Sequence, residues 1–346
     1  MAKLSGFLSG GHWGGKYVDR SIRLASLAGR RVLVTGGAGF VGSHIIDQLS
    51  GEGCRSILAL DNLVRGRLEN LASARQRPEV SFLQGDIRDA ELMRSLVADA
   101  DIVFHQAALR ITHCAEEPRR CFQTMAEATF ELARLSLEAG VEKLIYASSA
   151  SIYGEAETFP TSERHHPHAD RTLYGAAKLF GEGVLRALAV PHLSLRYFNV
   201  YGPRMDIHGR YTEVLIRWME RIEAGLPPLI FGDGRQTMDF VDVRDVARAN
   251  VLAAKSSVQD QAINIACGVE TSLLELAGAL CGAMERPSMA PEFQPRRQVN
   301  AVERRLADVT KARELLGFSA GIPLKQGLSD LVAWWRAERR SQAAAT

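Results

Sequence analysis

Two side chains spaced four residues apart carry the clearest chemical signal in this chain. Tyr174 and Lys178 begin and end a Tyr-Gly-Ala-Ala-Lys segment, and a helix would place them on one face. A tyrosine takes a proton from an alcohol only as a phenolate, and its ordinary pKa is ~10. Lowering that pKa by about 3 units takes roughly 4 kcal/mol, which one ammonium ~4 Å away supplies at an effective dielectric of ~20. We therefore predict Tyr174 as a general base and Lys178 as the charge that lowers its pKa.

A pair of serines gives this helix its context. Ser148 and Ser149 follow the apolar run 143–147, which predicts a buried strand. Open parallel sheets place their chemistry at the carboxyl ends of the strands. A tyrosine and a lysine at this spacing are by themselves usually a solvated helix face, so the serines are what make the catalytic interpretation specific.

These groups need a sheet to position them, and the sequence predicts one. Short β-branched runs predict strands at residues 31–35, 56–60, 80–84, 102–104, 143–147 and 194–198. Stretches with helical spacing separate them, including 43–49 and 122–139. The alternation predicts an α/β fold, a Rossmann-type doubly wound parallel sheet with a smaller interleaved α/β substrate domain.

A glycine-rich turn between the first strand and its helix predicts a dinucleotide site. Gly36 allows a tight turn, Gly39 lets the backbone approach a pyrophosphate, and Gly42 permits close helix–sheet packing. The amino terminus of the helix offers free N–H groups to the phosphates. Asp61 ends the next strand, where a carboxylate would bind both ribose hydroxyls and repel a 2′-phosphate, which favours NAD over NADP.

The predicted cofactor contacts extend along the carboxyl edge of the sheet. They are Gly36, Gly39, Phe40, Val41, Gly42, Asp61, Asn62, Asp86, Ile87, Ala107, Ala108, Arg110, Tyr174, Lys178 and Tyr197. We predict an N-terminal extension at 1–30, an NAD-binding domain at 31–195 plus about 238–265, a substrate-binding domain at 196–237 and 266–338, and a tail at 339–346.

Composition excludes several classes of function. The chain has 346 residues, with 42 Lys and Arg against 40 Asp and Glu, so no basic surplus points to nucleic acid or an anionic membrane. No window approaches the ~20 apolar residues of a membrane span. The five cysteines show neither a C-x-x-C pair nor zinc spacing, and their odd, scattered number favours core thiols in a reducing cytoplasm.

A cluster of histidines does not change this interpretation. His165, His166 and His168 lie in a polar stretch without a nearby cysteine or carboxylate cluster. Such residues are more often loop residues than ligands, and we predict no metal.

The motifs together resemble a known family. The glycine turn, Asp61, the Ser-Ser-Ala-Ser-Ile-Tyr-Gly segment from Ser148, the Tyr174/Lys178 pair and the Arg-Tyr-Phe-Asn-Val-Tyr-Gly-Pro segment from Arg196 are similar to an extended short-chain dehydrogenase/reductase. Within the NAD-dependent epimerase/dehydratase family, the chain most resembles the UDP-hexose 4-epimerase branch, from about 31 to 335. The resemblance implies that Lys178 also binds the nicotinamide ribose, that Ser149 hydrogen-bonds O4 of the sugar, and that the protein forms a homodimer through the helix bearing the pair.

The residues after the active-site serine bear on the reaction. Dehydratases of the family carry Asp-Glu there and decarboxylases resemble Thr-Ser-Glu, whereas this chain has Ser149, Ala150 and Ser151 with no carboxylate. This favours epimerisation at C4 through a transient 4-keto sugar. A UDP-N-acetylhexosamine 4-epimerase, a dehydratase or decarboxylase, a net oxidoreductase and a non-catalytic NAD-sensing protein stay as alternatives.

The resemblance also implies an anchor for the nucleotide. Asn199 resembles a residue that contacts the diphosphate or uridine, Phe231 should lie along the uracil, and Gln236 by the uridine ribose. The family usually has arginine where this chain has Met238, so either Arg235 or Arg305 must replace it, and we favour Arg305. The predicted substrate contacts are Ser149, Ser151, Tyr174, Asn199, Arg210, Phe231, Arg235, Gln236 and Arg305.

The sugar is less determined by the sequence. The loop that carries Arg204, Asp206 and Arg210 would face C5 and C6, and an arginine there suits a uronate. Relatives acting on uronates often have threonine in place of Asn199, and Asp206 would repel a carboxylate. UDP-glucuronate/UDP-galacturonate and UDP-glucose/UDP-galactose therefore stay equal, and Met125, where many relatives have asparagine, bears only on local structure.

Overall fold

The computed structural model describes residues 26–167, 170–207, 213–295 and 302–345. The strands are β1 (Arg31–Thr35), β2 (Ser56–Asp61), β3 (Val80–Gln84), β4 (Ile102–His105), β5 (Lys143–Ser149), β6 (His192–Tyr197), β7 (Asn199–Tyr201), β8 (Leu229–Phe231), β9 (Thr237–Met238), β10 (Phe240–Asp242), β11 (Gln261–Ile265), β12 (Thr271–Ser272) and β13 (Glu292–Gln294). The α-helices are α1 (Phe40–Leu49), α2 (Ala90–Ala98), α3 (Ile111–Glu116), α4 (Pro118–Phe122), α5 (Ala128–Ala139), α6 (Leu173–Ala187), α7 (Val214–Glu223), α8 (Val243–Lys255), α9 (Leu273–Ala283), α10 (Thr310–Leu316) and α11 (Leu324–Ala345).

A seven-stranded sheet forms the centre of the molecule, in the order β3-β2-β1-β4-β5-β6-β11. Every neighbouring pair in it is parallel. The chain leaves β1 toward β2 on one side and returns to β4 on the other, so a crevice opens where the strand order reverses. The predicted α/β doubly wound sheet is confirmed.

The predicted strands agree with the observed ones to within a few residues, and one predicted helix differs. The stretch 122–139 is not one regular helix, because a π-helical turn at Gln123–Glu127 separates α4 from α5. The proline-flanked segment 291–295 contains β13, which pairs in parallel with β8. None of the helices in the described part of the chain is long and apolar enough to cross a bilayer.

Two hydrophobic clusters flank the crevice. One packs α1, α8 and one face of the sheet around residues such as Ile45 and Val246. The other joins α7, α9 and α11 around Trp218, Leu280 and Trp335. α10 packs with the first cluster although its residues fall within the predicted substrate domain, because its apolar side meets β11 and α8. The two-domain division itself stays a prediction.

Candidate active site

A cleft of about 1030 Å³ opens at the carboxyl ends of the central strands. This volume lies at the upper end of the range for typical small-molecule sites, which is about 300–1,000 Å³. The predicted site residues that line it are Gly36, Gly39, Phe40, Val41, Gly42, Asp61, Asn62, Ile87, Ala107, Ala108, Arg110, Ser149, Ser151, Tyr174, Lys178, Tyr197, Asn199, Phe231 and Arg305. Asp86, Arg235 and Gln236 are not part of this lining, and Arg210 lies outside the described residues.

The glycine turn forms a tight cradle at the amino terminus of α1. Gly36 has φ +69°, and a Cβ there would stand 2.7 Å from the backbone nitrogen of Ala107 on the neighbouring strand end. A Cβ on Gly42 would stand 2.2 Å from the carbonyl oxygen of Gly36. Side chains at these positions would therefore separate the helix, the turn and β4. The open N–H groups at the helix start suit the phosphates of a dinucleotide.

Asp61 is fixed beside this cradle. Its carboxylate accepts hydrogen bonds from the backbone N–H groups of Ala38 (3.1 Å) and Leu63 (2.9 Å). Burial raises its pKa, and these hydrogen bonds oppose the rise. A Cβ on Gly66 would lie 2.6 Å from this carboxylate, so the loop after β2 passes directly over it. An acidic side chain held here fits the adenosine ribose of NAD, as the sequence predicts.

Asp86 contacts Asn62 and Arg88 and does not itself line the cleft. Its carboxylate lies 2.8 Å from Arg88 and accepts a hydrogen bond of 3.0 Å from the amide of Asn62. Arg88 holds the pKa of this carboxyl well below its usual range. The neighbouring Ile87 does line the cleft. The sequence analysis therefore identified the correct strand end, the one after β3. Of the two residues predicted there, Ile87 lines the cleft and Asp86 does not.

The tyrosine and lysine lie on α6, at the end facing the sheet. Thr172 caps the helix, its hydroxyl accepting from the N–H of Gly175 at 3.0 Å. Lys178 is buried, with its Nζ 5.8 Å from the centre of the Tyr174 ring and donating to the carbonyl of Ala147 at 2.6 Å. Ser149 lines the same cleft, and its side chain lies close enough to Tyr174 to lower the pKa of the phenol. The three predicted catalytic residues are thus brought together at one end of the cleft.

The electrostatics differ from the sequence-based expectation in one respect. Burial raises the pKa of Tyr174, while the neighbouring Ser149 side chain and the charges of Arg65 and Arg305 lower it. Burial likewise lowers the pKa of Lys178 to about 7. Desolvation penalises both charged forms, so Lys178 alone does not hold a phenolate in this state of the protein. Two arginines contribute where the sequence analysis considered only the lysine.

A buried ion pair fixes α6 against the sheet. Arg196 on β6 donates to both oxygens of Glu182 at 2.9 and 2.7 Å, and Ser148 on β5 donates to the same carboxylate at 2.5 Å. A Cβ on Gly181 would collide with the hydroxyl of Tyr146 at 2.3 Å, so helix and strand are in close contact. These contacts fix the position of Tyr174 and Lys178 relative to β5.

The cleft also contains side chains that were predicted to anchor the nucleotide. The side-chain oxygen of Asn199 is buried and has no hydrogen-bond partner among the described residues, which suits a ligand donor. Gln236 donates to the carbonyl of Phe231 at 3.0 Å, so it orients the lining residue from behind. Arg235 has a side chain 86% exposed beside Asp233, and the structure does not bring it into the cleft.

Two lining residues, Arg65 and Glu213, were not among the predicted site residues. Arg65 and Arg110 meet the carboxylate of Asp206 at 3.5 and 3.8 Å, and Arg110 also lies 3.3 Å from Glu213. Arg65 follows Asp61 closely in sequence, yet nothing in that spacing indicates that the loop folds back over the site. Only the tertiary fold makes this charged wall of the cleft visible.

The π-helical turn and two cysteines lie behind the catalytic end. Met125 on the π turn is buried with Cys114 and Cys121, and Tyr174 packs against this cluster. The expectation of five unpaired thiols is wrong here, because Cys114 and Cys121 form a disulfide between α3 and α4. The expectation failed because the fold brings two cysteines seven residues apart into contact across a helical corner. Cys54, Cys267 and Cys281 are free.

The histidine stretch shows no ligand set in the described residues. His165 accepts a hydrogen bond from the N–H of Glu157 at 3.0 Å and packs edge-on against Tyr153. His168 lies outside the described residues. Across the described part of the chain, no group of three or more His, Cys, Asp or Glu side chains is placed to hold a metal ion.

The chain is similar over most of its length to proteins of known activity. The model of the NAD dependent epimerase/dehydratase family matches residues 32–266. The UDP-glucose 4-epimerase of Mycolicibacterium smegmatis is 38% identical over 88% of this chain and 98% of its own. A Thermotoga maritima UDP-glucose 4-epimerase solved with UDP-glucose has a TM-score of 0.82 at 34% identity, covering 89% of this chain and 99% of its own. A Bacillus cereus UDP-glucuronic acid 4-epimerase, solved with UDP-glucuronic acid and NAD, has a TM-score of 0.81 at 27% identity, with coverage of 89% and 99%.

Proposed function

Because the chain belongs to the NAD dependent epimerase/dehydratase family, we propose that it inverts C4 of a UDP-sugar through a transient 4-keto intermediate. NAD is its cofactor, and the Gly36–Gly42 cradle and the fixed Asp61 carboxylate fit that dinucleotide. Bound NAD supplies the acceptor and later the donor of the C4 hydride. Everything else in the reaction falls to the side chains at the catalytic end of the cleft.

The observation that carries the proposal is the cluster of Tyr174, Ser149 and Lys178 above the end of β5. Tyr174, Ser149 and Lys178 all line the cleft, and the Ser149 side chain acts on the phenol of Tyr174, which supports a role for both hydroxyls on one alcohol oxygen. Tyr174 removes the proton from the C4 hydroxyl and returns it from the same position when the opposite face of C4 is reduced. Ser149 holds O4 during both half-reactions, and Lys178 contributes positive charge beside the phenol.

Epimerisation requires that the sugar turn over while the nucleotide stays bound. Asn199 and Phe231 line the same cleft and support an anchor for the nucleotide part. The unpartnered side-chain oxygen of Asn199 suits an N–H of uracil.

The absence of a carboxylate next to Ser149 favours this reaction over dehydration and decarboxylation. Ser149 accepts from the N–H of Ser151 at 3.1 Å in a short 3₁₀ turn, and the intervening Ala150 is buried. Glu213 does line the cleft, but Arg110 holds its carboxylate at 3.3 Å. The two positions that follow Ser149, where a second acid for elimination would stand, are thus filled by Ala150 and Ser151, neither of which carries a carboxylate.

The test is product analysis. The purified protein, with its co-purifying NAD, is incubated separately with UDP-glucose, UDP-glucuronate and UDP-N-acetylglucosamine, and the sugars are separated chromatographically. We expect a pair of C4 epimers from one of them without net change in NADH absorbance. A 4-keto-6-deoxy sugar, a pentose or stoichiometric NADH formation as the product would contradict the proposal.

Replacement of the proposed base tests the mechanism. Tyr174→Phe removes the ionisable oxygen but keeps the ring that packs beside Lys178, so NAD content and thermal stability should stay near wild type. Turnover should fall by about 10²–10⁴-fold or more, the typical contribution of a general base. Retention of turnover within a factor of ten would remove Tyr174 from this role.

A further inference from the structure

The loop after β2 forms the wall of the cleft beside the predicted adenosine position. It comprises residues 62–67 and is called the ribose loop below, and all of its residues except Leu63 line the cleft. A Cβ on Gly66 would lie 2.6 Å from the carboxylate of Asp61, so the ribose loop passes directly over the group that fits the adenosine ribose. Contacts that hold this loop in place therefore also oppose departure of the adenosine half of a bound dinucleotide.

Backbone hydrogen bonds hold the ribose loop near its two ends. The N–H of Leu63 donates to the carboxylate of Asp61 at 2.9 Å, and the N–H of Arg67 donates to the carbonyl of Ala38 in the glycine turn at 3.0 Å. Between these points the chain follows an irregular path, and Leu63 has φ +58°, which is uncommon for a residue with a bulky side chain. Such a backbone persists where surrounding contacts hold it, so the side chains of the loop matter to its position.

Two arginines connect the ribose loop to distant parts of the chain. The guanidinium of Arg67 lies 3.1 Å from the carboxylate of Glu338 on α11, and that of Arg65 lies 3.5 Å from Asp206. The side chains of Arg67 and Glu338 are only 28% and 25% exposed, so solvent and salt screen this pair less than a typical surface pair. Glu69 also lies 3.5 Å from Arg67, but its side chain is 65% exposed.

Arg67 joins the glycine turn to the C-terminal helix. Its backbone is bonded to the turn, whereas its guanidinium donates to Glu338. α11 is itself fixed in the hydrophobic cluster that it shares with α7 and α9. Arg67 lines the cleft and Glu338 lies outside the described lining, so a change at Glu338 acts on a bound ligand through the ribose loop rather than by contact.

From this arrangement we propose that the Arg67–Glu338 ion pair holds the ribose loop closed over the adenosine half of NAD and thereby slows release of the cofactor. Glu338 is then a positioning residue for the cofactor, which acts through Arg67. The inference goes beyond the proposed function, because it rests on NAD as the cofactor and on the contacts of the loop. It holds whichever sugar the protein acts on.

The release rate of NAD tests the inference directly. The purified holoenzyme is loaded by exchange with radiolabelled NAD, an excess of unlabelled NAD is added, and the label that stays bound is followed with time. We expect Glu338→Lys to release NAD about 3- to 30-fold faster than wild type, because it replaces an attraction with a repulsion of similar size. In an Arg67→Met background the same substitution should change the rate by less than about 2-fold, because the charge that it acts on is gone.

A matched control and a salt series separate this role from a general effect on α11. Arg336 on α11 forms an ion pair with Glu285 at 3.5 Å, so Glu285→Lys makes the same charge change beside the same helix. It should leave the release rate at the wild-type value. Raising the salt concentration weakens ion pairs, so it should accelerate release more in wild type than in Glu338→Gln.

Three results would overturn the inference. The first is a wild-type release rate in Glu338→Lys. The second is an equal acceleration by Glu338→Lys with and without Arg67, or by Glu285→Lys, which would show that the effect does not pass through the ion pair. The third is faster release in Arg67→Met but not in Glu338→Lys, which would assign Arg67 to direct contact with NAD. Because the assay contains NAD and no sugar, its result is independent of whether the protein epimerises C4.

Discussion

Two alanine substitutions in the glycine turn separate the structural role of this segment from its role in binding. A methyl at Gly42 would lie 2.2 Å from the carbonyl oxygen of Gly36, which belongs to the backbone and cannot rotate away. A methyl at Gly39 would lie 3.0 Å from the same oxygen, and Gly39 has φ −76°, which any residue adopts. Gly42→Ala should therefore disturb the fold, whereas Gly39→Ala should leave it nearly intact.

The size of the Gly42→Ala effect follows from that distance. Relief requires α1 and the turn to separate by about 0.8 Å, from 2.2 Å to the 3.0 Å at which real contacts begin. Forced movement of packed elements costs about 1–3 kcal/mol, and the better helix propensity of alanine returns up to ~1 kcal/mol. A net loss of about 1–2 kcal/mol corresponds to a Tm lower by roughly 1–3 °C for a chain of this length. Bound NAD should fall as well, because Gly36 moves with the turn.

The assay pairs thermal unfolding with the NAD content of the purified protein, measured after acid release. Gly39→Ala should keep its Tm within about 1 °C while losing most of its NAD, because the methyl occupies the face that the pyrophosphate approaches. Gly183→Ala is the control: it lies on the exposed side of α6 with nothing within 4 Å, and should stabilise by roughly 0.5–1 kcal/mol. Wild-type Tm and NAD content in Gly42→Ala would refute the packing argument, and full NAD content in Gly39→Ala would refute the predicted pyrophosphate position.

Two further predictions concern the frame that holds the site. Glu182→Gln leaves the Arg196 guanidinium buried without its charge partner and should cost about 3–5 kcal/mol of unfolding free energy in urea. The double variant Glu182→Gln/Arg196→Met should recover part of this loss. A decrease of less than ~1 kcal/mol in the unfolding free energy of Glu182→Gln would show that the ion pair does not stabilise the packing of α6 on the sheet. The imidazole of His105 is buried between the hydroxyls of Thr35 and Thr129. Burial lowers the pKa of His105 to about 3. The imidazole therefore stays neutral in the folded protein at a pH where it takes up a proton in the unfolded chain. Stability should therefore fall by roughly 2 kcal/mol between pH 6.5 and 5, and His105→Asn should flatten this slope; an unchanged slope would contradict the assignment.

The sequence by itself determined the central fold of the protein and predicted which groups react. Strands such as β1 and β3 were predicted at their observed bounds, because a run of buried β-branched and apolar residues admits few other structures. The glycine turn and the Tyr174/Lys178 pair were equally easy to recognise in the sequence, because each depends on a fixed spacing along one short segment. Local spacing is a property of the chain, so it needs no tertiary contact to be recognised.

Only the tertiary structure decided which side chains share the cleft and with what charge. It sends Arg305 inward and Arg304 outward, turns Arg235 to solvent, and folds Arg65 back toward Asp206. It also surrounds Tyr174 and Lys178 with enough protein that desolvation works against both charges. Burial and long-range pairing depend on contacts between residues far apart in the chain, and a single sequence does not contain those distances.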